Sequence, residues 1–578
     1  MLRKPLRGIQ AVIRLSCRHS DSDQLKMSEP QEQSQPLTRA AETGLVAALL
    51  IISAVLGISS MMLDGPTFDE PVYLMAGYEY LKSGNFEFNP EHPPLWKELA
   101  AIPIILSGVK GERFNPWAPA NPIDMPTVFF RSRLVLFLLF PVTGLILFLW
   151  ARKSWGQWGG MMSLFFYAFS PNLLAFARLV TPDFPVAAFF FIATWAFWKF
   201  CQKLSPWSFA VAAIALGLAM SSRFTALLLV PSFGFILLLS AKAGNDCPLW
   251  KKHSFRKHWW LVAAIPMALA SAGMVVVAVC YGISGVPIYF RGLAKFFSHA
   301  TDSGHSAFLL GQYSNGGWWY YFFVVLILKT PITALVASAI AAANAARNKQ
   351  HQNTNLFLFV PVVVLLAAAS INKVNLGIRL ILPLFPLVFV SIGQLALMPA
   401  LKKRAIQICL GLGLLWYASS AARIYPHYIS YFNELVGPES GYNYLSDSNI
   451  DWGQDLPRLA IFLKEQGVNG ILLAYHGLDS LQYYGVKAQY LPIGDRYQDD
   501  NMEERSNGYI CNESPRLLAI SVTLLKGVTL KDHDTYKWLE EMKLVRRIGY
   551  SILVFDITGN EKASEELAKI QGKFQQSR

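Results

Sequence analysis

Charged residues are scarce in this sequence: Asp, Glu, Lys and Arg make up 15% of its 578 residues, whereas hydrophobic residues make up 53%. Soluble proteins carry about 25% charged residues. Too few ionic side chains are therefore present to cover the roughly three or four soluble domains that this length suggests. The same composition excludes a disordered chain, a fibrous protein and a secreted disulfide scaffold. A polytopic membrane protein remains.

Cysteine pairs and nucleotide-binding motifs are also missing. The six cysteines are scattered and form no CxxC pair, so they support neither a zinc site nor a disulfide framework. The sequence contains no Walker A loop, no strand-anchored GxGxxG and no GxSxG. Nothing in it therefore indicates nucleotide binding or a serine hydrolase.

Apolar runs of about 17–25 residues can cross a bilayer, and about 11 such runs are present, three of them short. They lie near residues 44–61, 134–150, 159–177, 184–200, 206–220, 224–240, 259–281, 318–343, 356–371, 378–398 and 405–421. A polar tail over residues 1–42 precedes them and lacks the apolar stretch of a signal peptide. Met27 is an alternative start within this tail.

The basic excess follows the apolar part of the chain. Residues 1–421 hold 34 Lys and Arg against 17 Asp and Glu, whereas residues 422–578 hold 17 against 21. One set of alternate short loops carries 14 basic residues and the other set carries six. The positive-inside rule makes the first set cytoplasmic. We therefore expect a cytoplasmic N-terminus, an outward first loop over residues 63–133 and an outward C-terminal domain over residues 422–578, with no nucleic-acid partner.

The last 157 residues, 422–578, have the pattern of a small α/β domain. Apolar runs at residues 470–475, 516–522 and 551–556 predict strands, and residues 456–466 predict a helix that ends at Gly467. The acids between Asp447 and Asp455 imitate half of a calcium loop. Turn and helix-cap chemistry accounts for them better, because Gly453 and Arg458 stand where that loop needs other residues.

Acidic residues concentrate in the first outer loop, which holds nine of the 17 in the first 421 residues. Asp69 and Glu70 lie directly after a span, where adjacent carboxylates are costly and indicate a site at the membrane surface. An alternative is that one of them caps a helix beginning at Pro71 and ending at Gly84. Asp183, in the second outer loop, is open to the same two interpretations.

Cations on the predicted outer face could neutralise a phosphate at the level of the lipid headgroups, although some would simply mark span ends. These are Arg178, Arg223, Arg291, Lys373 and Arg379. Lys329 lies inside an apolar run that Pro331 should kink, which indicates either a functional lysine or a misplaced span. His92 and Lys97 are candidates too, with a loop hydrogen bond and a snorkelling side chain as their alternatives. An outward site would not meet cytosolic nucleotide sugars or ATP, so an activated donor would arrive on a lipid.

The first-loop motifs resemble those of a known family. Phe68-Asp69-Glu70, followed by His92-Pro93-Pro94-Leu95 and Lys97, resembles the signature of glycosyltransferase family 39, the protein O-mannosyltransferase-like group of the GT-C superfamily. Weaker matches to bacterial polyprenyl-phosphate-dependent members lie at residues 170–183, 316–322, 329–331, 375–383, 431–434 and 447–456. The resemblance runs from about residue 44 to residue 470.

The resemblance implies a GT-C fold in the cell inner membrane and a sugar donor linked to polyprenyl phosphate. It implies that Asp69 is the general base in an inverting reaction, and that Glu70 and Asp183 position it. His92, Lys97 and Arg379 would line the sugar-phosphate site, with Arg178 and Lys329 as further binding candidates. No metal ligands are predicted, although a divalent cation is left open. The sugar, a hexose or a pentose, is not specified.

The sequence departs from the protein mannosyltransferases of this group. Its second motif, Leu179-Val180-Thr181-Pro182-Asp183, lacks their His or Tyr cluster, and the chain lacks the extra lumenal repeats of the eukaryotic enzymes. A lipid or glycan acceptor therefore stands beside a protein acceptor. The alternatives to a transferase are a transporter or lipid flippase, and a receptor whose outer domain binds a partner.

Overall fold

The computed structural model describes residues 37–107, 124–242, 248–252, 255–301, 305–493 and 516–576. Contacts divide the chain into Met1–Glu42 and one compact unit, Thr43–Arg578. Most of the predicted polar tail, including Met27, lies outside the described residues, as does part of the first outer loop at residues 108–123.

Helices dominate the chain as far as residue 424. They are α1 (Arg39–Met61), α2 (Glu70–Ser83), α3 (Leu95–Leu106), α4 (Met125–Phe137), α5 (Leu139–Ala168), α6 (Pro171–Ala177), α7 (Asp183–Gln202), α8 (Pro206–Met220), α9 (Leu229–Lys242), α10 (Pro248–Lys252), α11 (Phe255–His258), α12 (Leu261–Tyr281), α13 (Val286–Thr301), α14 (Tyr321–Lys329), α15 (Ile332–Arg347), α16 (Gln352–Ile371), α17 (Leu384–Ile392) and α18 (Arg404–Ile424). A short hairpin, β1 (Ala307–Leu309) and β2 (Gln312–Ser314), follows α13.

Seven helical segments within the described ranges are long and apolar enough to cross a membrane, or eight if one bent pair is a single span. Two further apolar segments, Pro206–Met220 and Leu384–Leu397, are shorter. The predicted polytopic membrane fold is confirmed, but the count of 11 is not. One reason is that two predicted spans merge into a 44-residue segment, Met125–Ala168, in which Gly156 leaves helical geometry at φ 78°.

The predicted kink at Pro331 is a full break. The chain bends by 119° between α14 and α15, because proline removes a backbone donor and its ring clashes with the preceding turn. Lys329 is therefore the last residue of α14 and not a mid-span lysine.

A five-stranded sheet forms the C-terminal region. Its strands are β3 (Ile471–Ala474), β4 (Ala488–Tyr490), β5 (Leu517–Ser521), β6 (Lys543–Ile548) and β7 (Ile552–Asp556), and its helices are α19 (Leu456–Glu465), α20 (Val522–Leu525) and α21 (Glu561–Gln576). The order is β4-β3-β5-β7-β6, with β3 parallel to β4 and β5 and the other pairs antiparallel. The three predicted strands and the helix are all found within one or two residues of their predicted bounds.

The described residues of the predicted first outer loop include two packed helices, α2 and α3. Helix α2 has Pro71 in its first turn, and Gly84 ends it in the left-handed conformation at φ 67°, as the sequence predicted. Gly77 lies against α3, where an added Cβ would stand 2.1 Å from the Lys97 carbonyl oxygen. Only glycine permits this close approach of α2 to α3.

Candidate active site

A cavity of about 720 Å³ lies among the outer-loop residues, within the range of pockets that hold small ligands. Loops and the C-terminal region supply its polar wall: Asp69, Glu91, His92, Arg223, His305, Asn372, Arg379, Asp447 and His476. Helical segments supply most of its apolar wall: Phe224, Leu227, Leu228, Phe296, Phe297, Phe322, Leu365, Ala368, Ala369, Ile371 and Leu380. A single cavity thus has both apolar and charged walls.

Asp69 precedes α2, yet its side chain makes no capping hydrogen bond. It faces the cavity with 27% of the side chain exposed and lies 3.3 Å from Arg379 Nη1. Burial raises the pKa of Asp69, the Arg379 guanidinium opposes that rise, and the Asp447 carboxylate adds to it. An enclosed carboxylate with a raised pKa, open to a cavity, suits a general base.

Two arginines lie beside Asp183, and one of them, Arg379, also contacts Asp69. Arg223 Nη1 lies 2.7 Å from Asp183 Oδ1, and Arg379 Nη1 lies 4.0 Å from Asp183 Oδ2. Asp183 is fully buried and holds both guanidinium groups beside the cavity. Among the residues that the structure describes, the Nε atoms of Arg223 and Arg379 are buried without a hydrogen-bond partner. Unsatisfied buried donors are costly, and an anion bound at this point would supply acceptors for them.

His92 also faces the cavity, and its buried Nδ1 has no hydrogen-bond partner in the part of the chain that the structure describes. Burial, together with the positive charge of Arg223, holds the pKa of His92 well below its usual range. The neutral ring packs edge-on against Tyr73, with centroids 5.7 Å apart. His92 can therefore exchange a hydrogen bond with a ligand without adding charge.

Glu70 does not reach the cavity. Its carboxylate is fully buried: Arg133 Nη2 lies 2.5 Å from Oε2, and the amides of Thr67 and Val180 each donate to it at 2.7 Å. This arrangement joins the first and second outer loops and holds the residue beside Asp69. Glu70 cannot touch a substrate here, which leaves only the positioning role.

Lys97, Arg178 and Lys329 are likewise outside the cavity lining, contrary to their prediction as binding residues. Lys97 Nζ donates to the Tyr80 hydroxyl at 3.0 Å and to the His92 carbonyl at 2.8 Å. Lys329 Nζ donates to two backbone carbonyl oxygens, one of them 2.9 Å away on Ile429. All three side chains are buried, and their charges serve the fold.

Arg178 belongs to a buried charge network that ties three parts of the chain together. Asp64 lies 2.5 Å from Arg178 Nη1 and 2.6 Å from Arg458 Nη2, and Arg458 also pairs with Asp455. These residues come from the first outer loop, the second outer loop and the C-terminal region. The first loop, the second loop and the C-terminal region, which charge counting placed on the same side of the membrane, thus meet in one cluster.

Three cavity residues from the C-terminal region were missed as site residues: Asp447, Trp452 and His476. Trp452 lies under the Arg379 guanidinium, 4.2 Å from Cζ to the ring centroid. His476 follows the carboxyl end of β3, where ligands gather in sheets with parallel strands. That position is the one signal by which His476 could have been found.

No group of three or more His, Cys, Asp or Glu side chains that could hold a metal ion occurs in the described part of the chain. The acids between Asp447 and Asp455 instead accept hydrogen bonds from backbone amides and hydroxyls, such as Thr523 N at 3.1 Å from Asp451 and Ser551 Oγ at 2.6 Å from Asp455. We therefore assign no residues to a divalent cation.

The family model described as dolichyl-phosphate-mannose-protein mannosyltransferase matches residues 127–275. The matched segment includes Arg223, which lines the cavity, Asp183, which pairs with Arg223, and Arg133, which pairs with Glu70. This match agrees with the resemblance of the first-loop motifs to the protein O-mannosyltransferase-like group.

Several solved structures are similar in fold. ArnT from Cupriavidus metallidurans matches at 14% identity and TM-score 0.46, over 89% of this chain and 98% of that chain, and is also known bound to undecaprenyl phosphate. The S. cerevisiae Pmt1-Pmt2 complex matches at 21% identity and TM-score 0.34, over 45% and 35%. The Archaeoglobus fulgidus oligosaccharyltransferase matches at 13% identity and TM-score 0.43, over 84% and 70%. No curated protein matches the sequence.

Proposed function

We propose that this protein transfers a sugar from a polyprenyl phosphate to an acceptor, within the cavity at Asp69. The observation that carries the proposal is the composition of the cavity wall. Aliphatic and phenyl side chains line much of it, and two arginines with unpaired Nε atoms stand beside an enclosed carboxylate. The apolar wall suits a lipid chain, the two arginines suit its phosphate, and the Asp69 carboxylate suits a reacting hydroxyl.

The donor phosphate would lie at Arg223 and Arg379. Guanidinium groups bind phosphate oxygens through paired N–H donors. Asp183 holds both arginines in place but is itself fully buried. Leu227, Leu365 and Leu380 would contact the first isoprene units, since burial of each CH₂ group contributes about 0.8 kcal/mol. His92 would donate to the phosphate or to the sugar.

Asp69 would act as the base in a single displacement. Its carboxylate removes the proton of the acceptor hydroxyl, and that oxygen forms a bond to the anomeric carbon. The bond from the anomeric carbon to the phosphate oxygen breaks, and its electron pair leaves on the polyprenyl phosphate. Arg223 and Arg379 stabilise the charge that develops there. Attack from the face opposite the leaving group inverts the anomeric carbon.

We also propose that the cavity opens to the outer side of the cell inner membrane, with the N-terminus in the cytoplasm. Charge counting supports this orientation, because the loops that build the site are the less basic set. The family match favours a transferase over the transporter or flippase.

The test is incubation of the purified protein in detergent with a panel of polyprenyl-phosphate hexoses and pentoses. Mass spectrometry would measure the polyprenyl phosphate released and the mass added to the acceptor. At least one donor should be consumed by the wild type and not by Asp69→Asn. Asp534→Asn, at a 71% exposed side chain in the same protein, is the matched control. Uptake of a labelled sugar into proteoliposomes without phosphate release would instead support a transporter.

A further inference from the structure

Part of the polar wall of the cavity is not used by the proposed donor. Asp447 and His476 both line the cavity, and both belong to the C-terminal region. Each is electrostatically coupled to Asp69: the Asp447 charge helps to raise the pKa of Asp69, and Asp69 and Asp447 both oppose the lowering of the His476 pKa by burial. The two side chains therefore share the immediate surroundings of the base.

The backbone holds these residues against the first outer loop. Phe68 N donates to the Trp452 carbonyl at 2.8 Å, and Gly65 N donates to the Gln454 carbonyl at 2.9 Å. The Phe68 ring stacks on His476, with centroids 5.2 Å apart and planes 23° apart. The C-terminal region is thus built into the wall beside Asp69.

Asp447 is held in an unusual conformation. Its φ of 55° places a non-glycine residue in the left-handed region, which costs of order 1 kcal/mol and is found mostly at functional sites. In the described ranges, the Ser448 amide donates to its carboxylate. A carboxylate can accept about four hydrogen bonds, so acceptor capacity remains toward the cavity.

The negative charge of Asp447 limits which substrate group this part of the cavity wall can bind. A carboxylate repels a phosphate, so the donor phosphate belongs with the two arginines. Asp447 and His476, which line the same cavity, instead suit an uncharged, hydrogen-bonding group. Asp69 already serves the reacting hydroxyl, so a second carboxylate beside it matches a second hydroxyl on the same acceptor. A serine or threonine side chain has only one.

We infer that Asp447 and His476 form the acceptor subsite, and that it takes a sugar presenting two neighbouring hydroxyl groups. One hydroxyl loses its proton to Asp69, and the adjacent one donates to Asp447. The inference rests on the proposed function and extends it to the acceptor, favouring a glycan over a protein. Sites built to hydrogen-bond a substrate hydroxyl discriminate strongly against analogues that lack it.

The test uses the full-length protein with whichever polyprenyl-phosphate sugar proves active. The acceptor probes are methyl glycosides, their monodeoxy analogues and a blocked serine peptide. The wild type should use a methyl glycoside and lose about 10- to 100-fold in kcat/KM on the matching deoxy analogue. Asp447→Asn should raise the KM for the glycoside about 10-fold and remove most of that discrimination. Asparagine is the suitable replacement because it tolerates a positive φ.

The dissociation constant for polyprenyl phosphate alone, measured on the same variants, shows whether Asp447→Asn is folded and whether the defect is confined to the acceptor. It should stay within about twofold of the wild type, because no donor contact changes. Weakened lipid binding, an unchanged KM for the acceptor, or transfer to the serine peptide alone would each overturn the inference. A wild type that neither binds polyprenyl phosphate nor releases it from any donor would refute the proposed function itself.

Discussion

Asp69 and Glu70 are neighbours with opposite expected roles, and an isosteric substitution of each separates them. Each Glu70 oxygen accepts one backbone amide and one N–H of Arg133, at distances of 2.5–2.8 Å. Glu70→Gln removes the charge and turns an NH₂ group toward one of these donor pairs. Breaking a buried ion pair costs about 3–5 kcal/mol, so we expect a loss of stability of that order.

Asp69→Asn should behave differently. Asp69 has a single ion-pair contact of 3.3 Å with Arg379, and its side chain is 27% exposed. The loss of so screened a contact changes stability by at most about 1 kcal/mol. The chemical step should slow by about 10²- to 10⁴-fold, which is the usual contribution of a general base.

The assay measures thermal unfolding of both variants in one detergent, alongside the release of polyprenyl phosphate. We expect Glu70→Gln to unfold at a clearly lower temperature, and Asp69→Asn to unfold with the wild type yet release polyprenyl phosphate at least about 100-fold more slowly. Equal destabilisation of the two variants, or turnover by Asp69→Asn at the wild-type rate, would refute the assignment of their roles.

Further predictions concern the surroundings of the base and the packing that holds it. On the acid side of the pH profile, kcat/KM should begin to fall at a pH above the usual pKa of an aspartate. The reason is that burial raises the pKa of Asp69 and only its ionised form is a base. This fall should move to lower pH in Asp447→Asn, because that variant removes a negative charge near Asp69. If the fall does not move, a group other than Asp69 is titrating. Arg223→Gln should weaken polyprenyl phosphate binding about 10- to 100-fold by equilibrium titration; unchanged affinity would place the phosphate elsewhere. Gly77→Ala should lower the unfolding temperature through a loss of about 1–3 kcal/mol, because its Cβ meets the Lys97 carbonyl; the half-buried Gly411→Ala, with open space around its Cβ, is the control.

Much of the fold was readable from local signals. Apolar runs identified the membrane helices, and Pro71 and Gly84 marked the ends of α2. Shorter apolar runs located β3, β5 and β7. These features depend on residues close together in sequence. The span count could not be read in the same way, because Gly156 and Pro331 change how successive apolar runs join.

The roles of the charged residues were only partly readable. Asp69 and Arg379, which line the cavity, came from the same set of charged candidates as the buried residues Glu70, Lys97, Arg178, Asp183 and Lys329. These residues differ in the partner that each side chain contacts and in how much of the side chain is exposed. Glu70 meets Arg133, which lies 63 positions away, whereas Asp69 meets Arg379, which lies 310 positions away. No pattern of spacing carries that information.

The scarcity of charge by itself determined that this is a membrane protein, because too few ionic groups are present to solvate its surface. The distribution of charge then predicted which loops share a side. Only the tertiary structure decided which charges face a cavity and which are consumed by the fold. Burial makes an unpaired charge costly, so each buried ion finds a partner wherever the chain brings one. The acids and arginines that still face the cavity are the ones left for chemistry.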